Sequence, residues 1–353
     1  MALHREDIPA AVLAQLRQGV VIPAHPLALT EARQLDARHQ RALTRYYLDA
    51  GAGGLAVGVH TTQFEIRDVG LYEPVLRMAV ETTAAWTDQP KFMIAGLVGS
   101  TEQALGEANL ALGLGYHAGL LSLAAHKGAD EDALIAHCQA VAARIPLVGF
   151  YLQPAVGGIV LSAEFWRRFA AIDNVIAIKV APFSRYRTLD VVRGVVAAEA
   201  EDRISLYTGN DDHILLDLVT PFAVRRGGED VVVRFRGGLL GHWCVWVRPA
   251  VEYLARAHQA IAAGAVSAEL LQLDSQITDA NGALFDVIND FAGVIAGCHE
   301  VLRRQGLLQG TWCLNPDEAM SPGQKEALDR VIADYPHLCD DSFVADNLHR
   351  WLD

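Results

Sequence analysis

The sequence predicts an α/β fold, a (β/α)8 barrel of the TIM type with a C-terminal helical extension. Three observations carry this. Eight short apolar or β-branched runs recur along the chain, a helical pattern follows each, and polar residues able to do chemistry gather at the C-terminal ends of the runs. Eight such units point to a closed barrel, with an open doubly wound sheet as the alternative.

In chain order the expected strands are 19–25, 53–61, 91–99, 117–125, 146–154, 175–182, 204–211 and 237–246. Several are nearly continuous apolar runs, as strands covered on both faces should be. Segments such as 35–51 and 130–145 supply the intervening helices. The stretch 227–238 breaks the rhythm and is expected to add a small extra strand before the eighth. The expected division is a barrel with a short N-terminal lead over 1–264 and a helical region over 265–353 packed on it, often an oligomer surface.

The 353 residues are 52% hydrophobic and 20% charged, which suits a folded chain with a sizeable core. The net charge of −13, with basic residues scattered, argues against nucleic acid as a partner. The N-terminus lacks the long apolar run and small-residue cleavage site of a signal peptide. No apolar stretch is long and uninterrupted enough to span a bilayer. The five cysteines, Cys138, Cys244, Cys298, Cys313 and Cys339, are widely separated and lack metal-type spacing. The expected compartment is the cytoplasm, with reduced, mostly buried thiols.

Barrel enzymes do their chemistry at the C-terminal strand ends. Here those ends carry His25, His60-Thr61-Thr62, Ala124-Ala125-His126, Tyr151, Lys179, Gly209-Asn210-Asp211-Asp212 and Gly241-His242. Lys179 is the sharpest feature, because every neighbour in VIAIKVA is apolar. A lysine facing the interior is desolvated, which favours a neutral, nucleophilic amine able to form a Schiff base. The other reading is a lysine that reaches solvent or pairs with Asp211. Tyr151 ends the preceding strand, about 4.8 Å away laterally, where a phenol can relay protons or simply pack in the core. Thr61 and Thr62 can hold a carboxylate or cap a helix.

Taken together, GVHTTQF (58–64), YLQP (151–154) followed by Gly157-Gly158, and NVIAIKVA (174–181) resemble the ordered motifs of the dihydrodipicolinate synthase / N-acetylneuraminate lyase family over roughly 17–265. The resemblance implies class I aldolase chemistry on a 2-keto acid, commonly pyruvate, or on a sugar acid. It implies Lys179 as the Schiff-base nucleophile, with no other cofactor, Tyr151 as the proton shuttle, and Thr61 with the Thr62 backbone on the carboxylate. It also implies a homo-oligomer.

The departures narrow this. His60 stands where the family has a relay threonine, Thr62-Gln63 replace Gly-Glu, and Ala124-Ala125 replace a Tyr-Tyr pair. Val156 occupies the place of the arginine that binds the second substrate of dihydrodipicolinate synthesis, so a different reaction of the class is expected. His60 is a candidate substitute relay beside Tyr151. Gly209, Asn210, Asp211 and Arg185 are candidate substrate ligands. Arg185 could provide a fork for a distal anion, or a surface ion pair. Gln153 is expected to face the pocket or bond backbone. Two rival readings remain at this point. One is a metal-dependent barrel enzyme using His25, His60, His126 and His242. The other is a barrel that binds a ligand without turnover.

Overall fold

The structure, a computed structural model, describes residues 2–353. Seven strands come first: β1 (Val21–Pro23), β2 (Gly54–Val57), β3 (Phe92–Leu97), β4 (Ala118–Leu121), β5 (Leu147–Tyr151), β6 (Val175–Val180) and β7 (Ser205–Thr208). A separate antiparallel hairpin follows, β8 (Phe222–Arg226) with β9 (Glu229–Val233), and then β10 (Phe235–Leu240). The parallel sheet runs β1–β10–β7–β6–β5–β4–β3–β2. Its ends meet where Ala24 bridges Ala56 and the His25 N–H donates to the Ala56 carbonyl at 2.8 Å. The expected barrel, and not the open sheet, is the architecture.

Every residue of β1 to β7 is buried. This follows from two covers, the helices outside and the packed interior within. Alternate side chains divide between them. Ile22, Ala56, Ile94, Leu120, Val148 and Leu239 fill the interior, whereas Leu55, Val57, Leu147, Ile178 and Val180 face the helices. Val12 and Leu16 of the helix Ala10–Gln18 join the interior cluster. The Tyr207 hydroxyl donates to the Leu16 carbonyl at 2.8 Å, tying that helix to the barrel. The apolar end plug leaves the opposite, C-terminal mouth as the place for a cavity.

The strands are shorter than the sequence suggests, and two local expectations change. The irregular stretch is a two-stranded hairpin beginning at Phe222, not one extra strand. Gly227 and Gly228, at φ 60° and 92°, supply the paired left-handed residues its tight turn needs. GHWCVW does not continue strand eight. The chain turns at His242–Cys244, and Trp246 adopts φ 52° before the helix Val247–Ala263.

After residue 264 come the helices Ala268–Leu284, Val294–Arg304, Gln324–Asp334 and Asp341–Leu352. They are bonded to the barrel at several points. Asp274 accepts the Leu215 and Leu216 N–H groups at 2.9 and 3.0 Å. The Leu314 N–H donates to Gln63 Oε1 at 2.6 Å, and Trp351 Nε1 to Asp49 at 2.7 Å. This docking brings residues 285–294 over the barrel mouth. Among the described residues, all five cysteines are free and no helix is long and apolar enough to cross a membrane.

Candidate active site

Lys179 pairs laterally with Phe150 of β5 and Tyr207 of β7. Residues paired across parallel strands share a face, and successive side chains alternate. Phe150 and Lys179 therefore point into the barrel together, with Lys179 Nζ 4.5 Å from the Phe150 ring centroid. Lys179 is 7% exposed. Burial pulls its amine below the ordinary lysine range, and the nearby Asp211 carboxyl opposes that only in part.

Gly209 makes room for the amine. A Cβ there would lie 2.8 Å from Lys179 Cε and 2.7 Å from Ala181 Cβ. The lysine stem thus runs across a bare backbone that no other residue type could offer. Gly209→Ala is expected to slow reductive trapping of Lys179 by a small keto acid about 10²-fold, the scale of a displacement near 1 Å. An unchanged trapping rate in a folded variant would contradict this role.

A cavity of about 60 Å³ opens above the amine, several times the ~10–15 Å³ one water needs. His60, Thr61, Gln153, Lys179 and Asp211 provide its polar side chains. Burial, and then the charge of Lys179, hold the His60 imidazole down to about 4, so it is neutral at pH 7. Asp211 is 4% exposed, and its Oδ1 accepts the His242 N–H at 2.8 Å. Desolvation raises this carboxyl above its ordinary range, against the pull of that hydrogen bond and of Lys179.

The same alternation removes several expected residues. Tyr151 faces the helix layer, not the cavity. Its hydroxyl donates to the Leu161 carbonyl at 3.3 Å and accepts the Leu161 N–H at 3.1 Å, while its ring packs on Trp166. The aromatics paired with Lys179 are Phe150, which has no proton to move, and Tyr207, whose hydroxyl is committed to the Leu16 carbonyl at 2.8 Å. Asn210 also faces outward. Its amide donates to Thr188 at 3.1 Å and Asp217 at 2.9 Å, and its oxygen accepts the Phe183 N–H at 3.0 Å. Arg185 is spent in an ion pair with buried Asp217. The Thr62 hydroxyl donates to the His25 carbonyl at 2.7 Å and accepts the Gly58 and Val59 N–H groups at 2.9 and 3.2 Å. The Thr62 backbone N–H bonds Val59, so it holds the turn's shape. Thr61 keeps its place in the lining, with only a long 3.5 Å contact to the His25 carbonyl.

The other histidines do not converge on the cavity. His25 bonds Thr44 and the Pro26 carbonyl, His126 lies against His137, and His242 Nδ1 meets the Asn281 amide at 3.2 Å. Among the described residues, no group of three or more His, Cys, Asp or Glu is arranged to hold a metal ion.

The sequence reading missed the rest of the lining. Phe183 follows β6, and Phe285, Phe291 and Val294 come from the C-terminal region. Apolar residues carry no local mark of such a role. Phe183 and Phe291 sit at φ 49° and 68°, unusual for bulky side chains, and meet edge to face with centroids 5.9 Å apart.

The model of the dihydrodipicolinate synthetase family matches residues 18–222. No curated protein sequence matches the chain significantly. The fold is similar to that of dihydrodipicolinate synthase from Acinetobacter baumannii complexed with pyruvate (TM-score 0.74, 19% identity, 90% of this chain and 99% of that chain). It is also similar to CdNal from Clostridium difficile in complex with mannosamine (TM-score 0.71, 15% identity, 90% and 99%). A third is a putative dihydrodipicolinate synthase family protein from Coccidioides immitis (TM-score 0.68, 15% identity, 94% and 98%). At these identities the likeness is one of fold.

Proposed function

The chain belongs to the dihydrodipicolinate synthetase family, whose members are lyases of the class I aldolase type, and we propose that it forms a Schiff base between Lys179 and a 2-keto acid of the pyruvate type. The observation that carries this reading is a buried lysine with a depressed amine pKa, aimed into a cavity at the barrel's C-terminal mouth. The chain has four lysines, Lys91, Lys127, Lys179 and Lys325. Among the described residues, Lys179 is the one that lines this cavity.

In the proposed reaction the neutral amine attacks the keto carbon, and loss of water leaves an iminium. The iminium draws electrons from the adjacent carbon, so a bond there can form or break. Thr61 offers its hydroxyl to the keto-acid carboxylate. His60 is the base. The cationic iminium keeps its imidazole neutral and ready to accept a proton. Once the proton moves and the iminium becomes a neutral enamine, the repulsion that opposed imidazolium is gone. Asp211 is the second titratable wall of the cavity. Beyond the lysine adduct this chemistry needs no cofactor. We further propose a homo-oligomer and a cytoplasmic location, the latter supported by the five free cysteines.

Tyr151 has no part in this scheme. Tyr151→Phe is expected to leave turnover within about threefold of wild type, while losing roughly 1 kcal/mol of stability with its hydrogen bonds. Parallel kinetics and denaturant titrations check this, and a loss of 10²-fold or more would restore Tyr151 as the relay.

The test of the function needs no knowledge of the second substrate. Incubated with pyruvate and other 2-keto acids in deuterated buffer, the protein should exchange the protons on the carbon beside the keto group, read by NMR. Absence of exchange across the panel contradicts the reading. One observation, Phe150 where a relay phenol is expected, favours a barrel that binds without turnover. That reading predicts saturable keto-acid binding with no exchange.

A further inference from the structure

The family assignment leaves the partner of the keto acid open. The cavity wall bears on it. Above Lys179 the lining is Phe150, Val156, Phe183, Phe285, Phe291 and Val294. Four of these are phenylalanines, and three residues come from the C-terminal segment that roofs the mouth. Apart from Gln153, which lines the cavity, the side chains expected to meet a polyhydroxylated or anionic partner are engaged elsewhere. Asn210 is saturated by Thr188, Asp217 and Phe183, and Arg185 is paired with Asp217. Val156 lines the wall, and Lys179 is the cavity's lone ordinarily cationic side chain among the described residues. Hydroxyls or a second carboxylate placed against this wall would lose their water with little beyond the Gln153 amide to replace it, which is costly.

We propose that the roof is a subsite for an apolar aldehyde, aromatic or branched aliphatic, which couples with the keto acid held on Lys179. The inference rests on the Schiff-base reading above and extends it to the second substrate. At about 60 Å³ the resting cavity suits the keto acid alone. The Phe183–Phe291 pair lies between it and an outer cleft whose lining includes Val287 and Ile288 with Asp212, Thr278 and an Arg330–Asp279 ion pair, and both rings line both spaces. The aldehyde's apolar group packs against these two rings as they part. Their left-handed backbones, disfavoured for bulky side chains, concentrate strain at these two rings.

The step balances without an added oxidant or reductant. The enamine carbon attacks the aldehyde carbon, a carbon–carbon bond forms, and the carbonyl oxygen takes a proton. Water then releases a 4-hydroxy-2-keto acid and restores the Lys179 amine.

The test measures pyruvate consumption with benzaldehyde, 3-methylbutanal, glyceraldehyde and succinic semialdehyde, alongside pyruvate proton exchange in deuterated buffer. The expected result is exchange, with kcat/KM for the two apolar aldehydes at least about tenfold above that for the polar pair. Phe291→Asn keeps a residue that tolerates the left-handed backbone. It should lower the benzaldehyde-to-glyceraldehyde ratio about tenfold or more. Exchange with equal or reversed preference overturns the subsite and leaves the Schiff-base reading standing. No exchange at all overturns both.

Discussion

Replacing Lys179 with methionine is expected to lower turnover by roughly 10⁴–10⁶-fold, the scale seen when a covalent nucleophile is deleted. Methionine keeps the unbranched shape and suits the apolar strand. Removing a desolvated amine should therefore leave the melting temperature unchanged or raise it. Activity lost together with the fold would not meet this expectation, so kinetics and thermal unfolding belong in one experiment. The wild-type pH profile carries the same argument. Only the neutral amine attacks, and burial pulls its pKa down. The trapping rate should climb with pH and level off well below the ordinary lysine value of about 10.4. An inflection at or above that value would mean that Lys179 reacts from a solvated position.

His60→Gln is the second large effect. It keeps a polar side chain against Lys179 but removes the base. Turnover should fall about 10²–10⁴-fold, the usual contribution of a positioned general base. Schiff-base trapping should persist within a few-fold, because imine formation precedes the proton transfer assigned to His60. With the imidazole held near 4, its basic form is present throughout the range from pH 5 to 8. A rate limb near pH 6.5 that disappears in His60→Gln would contradict this. So would equal losses in trapping and turnover.

Much of this site is legible in the sequence because each feature violates its surroundings. Lys179 stands out in an apolar strand, and Gly209 precedes a cluster of polar groups at a strand end. Register is harder to read. Phe150 and Tyr151 are adjacent aromatics, and a shift of one residue exchanges the inner for the outer face. An irregularity between β5 and β6, at Leu147 and Val148, further hides which of the two meets Lys179. Asn210 and Asp211 pose the same problem at β7, where alternation sends one to the helices and the other to the cavity. The fate of Arg185 depended on Asp217, 32 residues away, which competes for its charge. The roof was least legible. Phe285 and Phe291 reach the mouth only because Asp274, Gln63 and neighbouring groups dock the C-terminal helices there.

Borohydride reduction in the presence of pyruvate or a related 2-keto acid, followed by peptide mapping, identifies the reactive amine directly. The chain's four lysines make the outcome readable. Lys91 donates to the Ala52 carbonyl at 2.8 Å, and Lys325 pairs with Asp329 at 3.2 Å on the exposed surface. One reduced adduct per chain is expected, on the peptide containing Lys179 and absent from Lys179→Met. A folded protein that gives no adduct with any keto acid, or one that is labelled equally at Lys127 or Lys325, would contradict it.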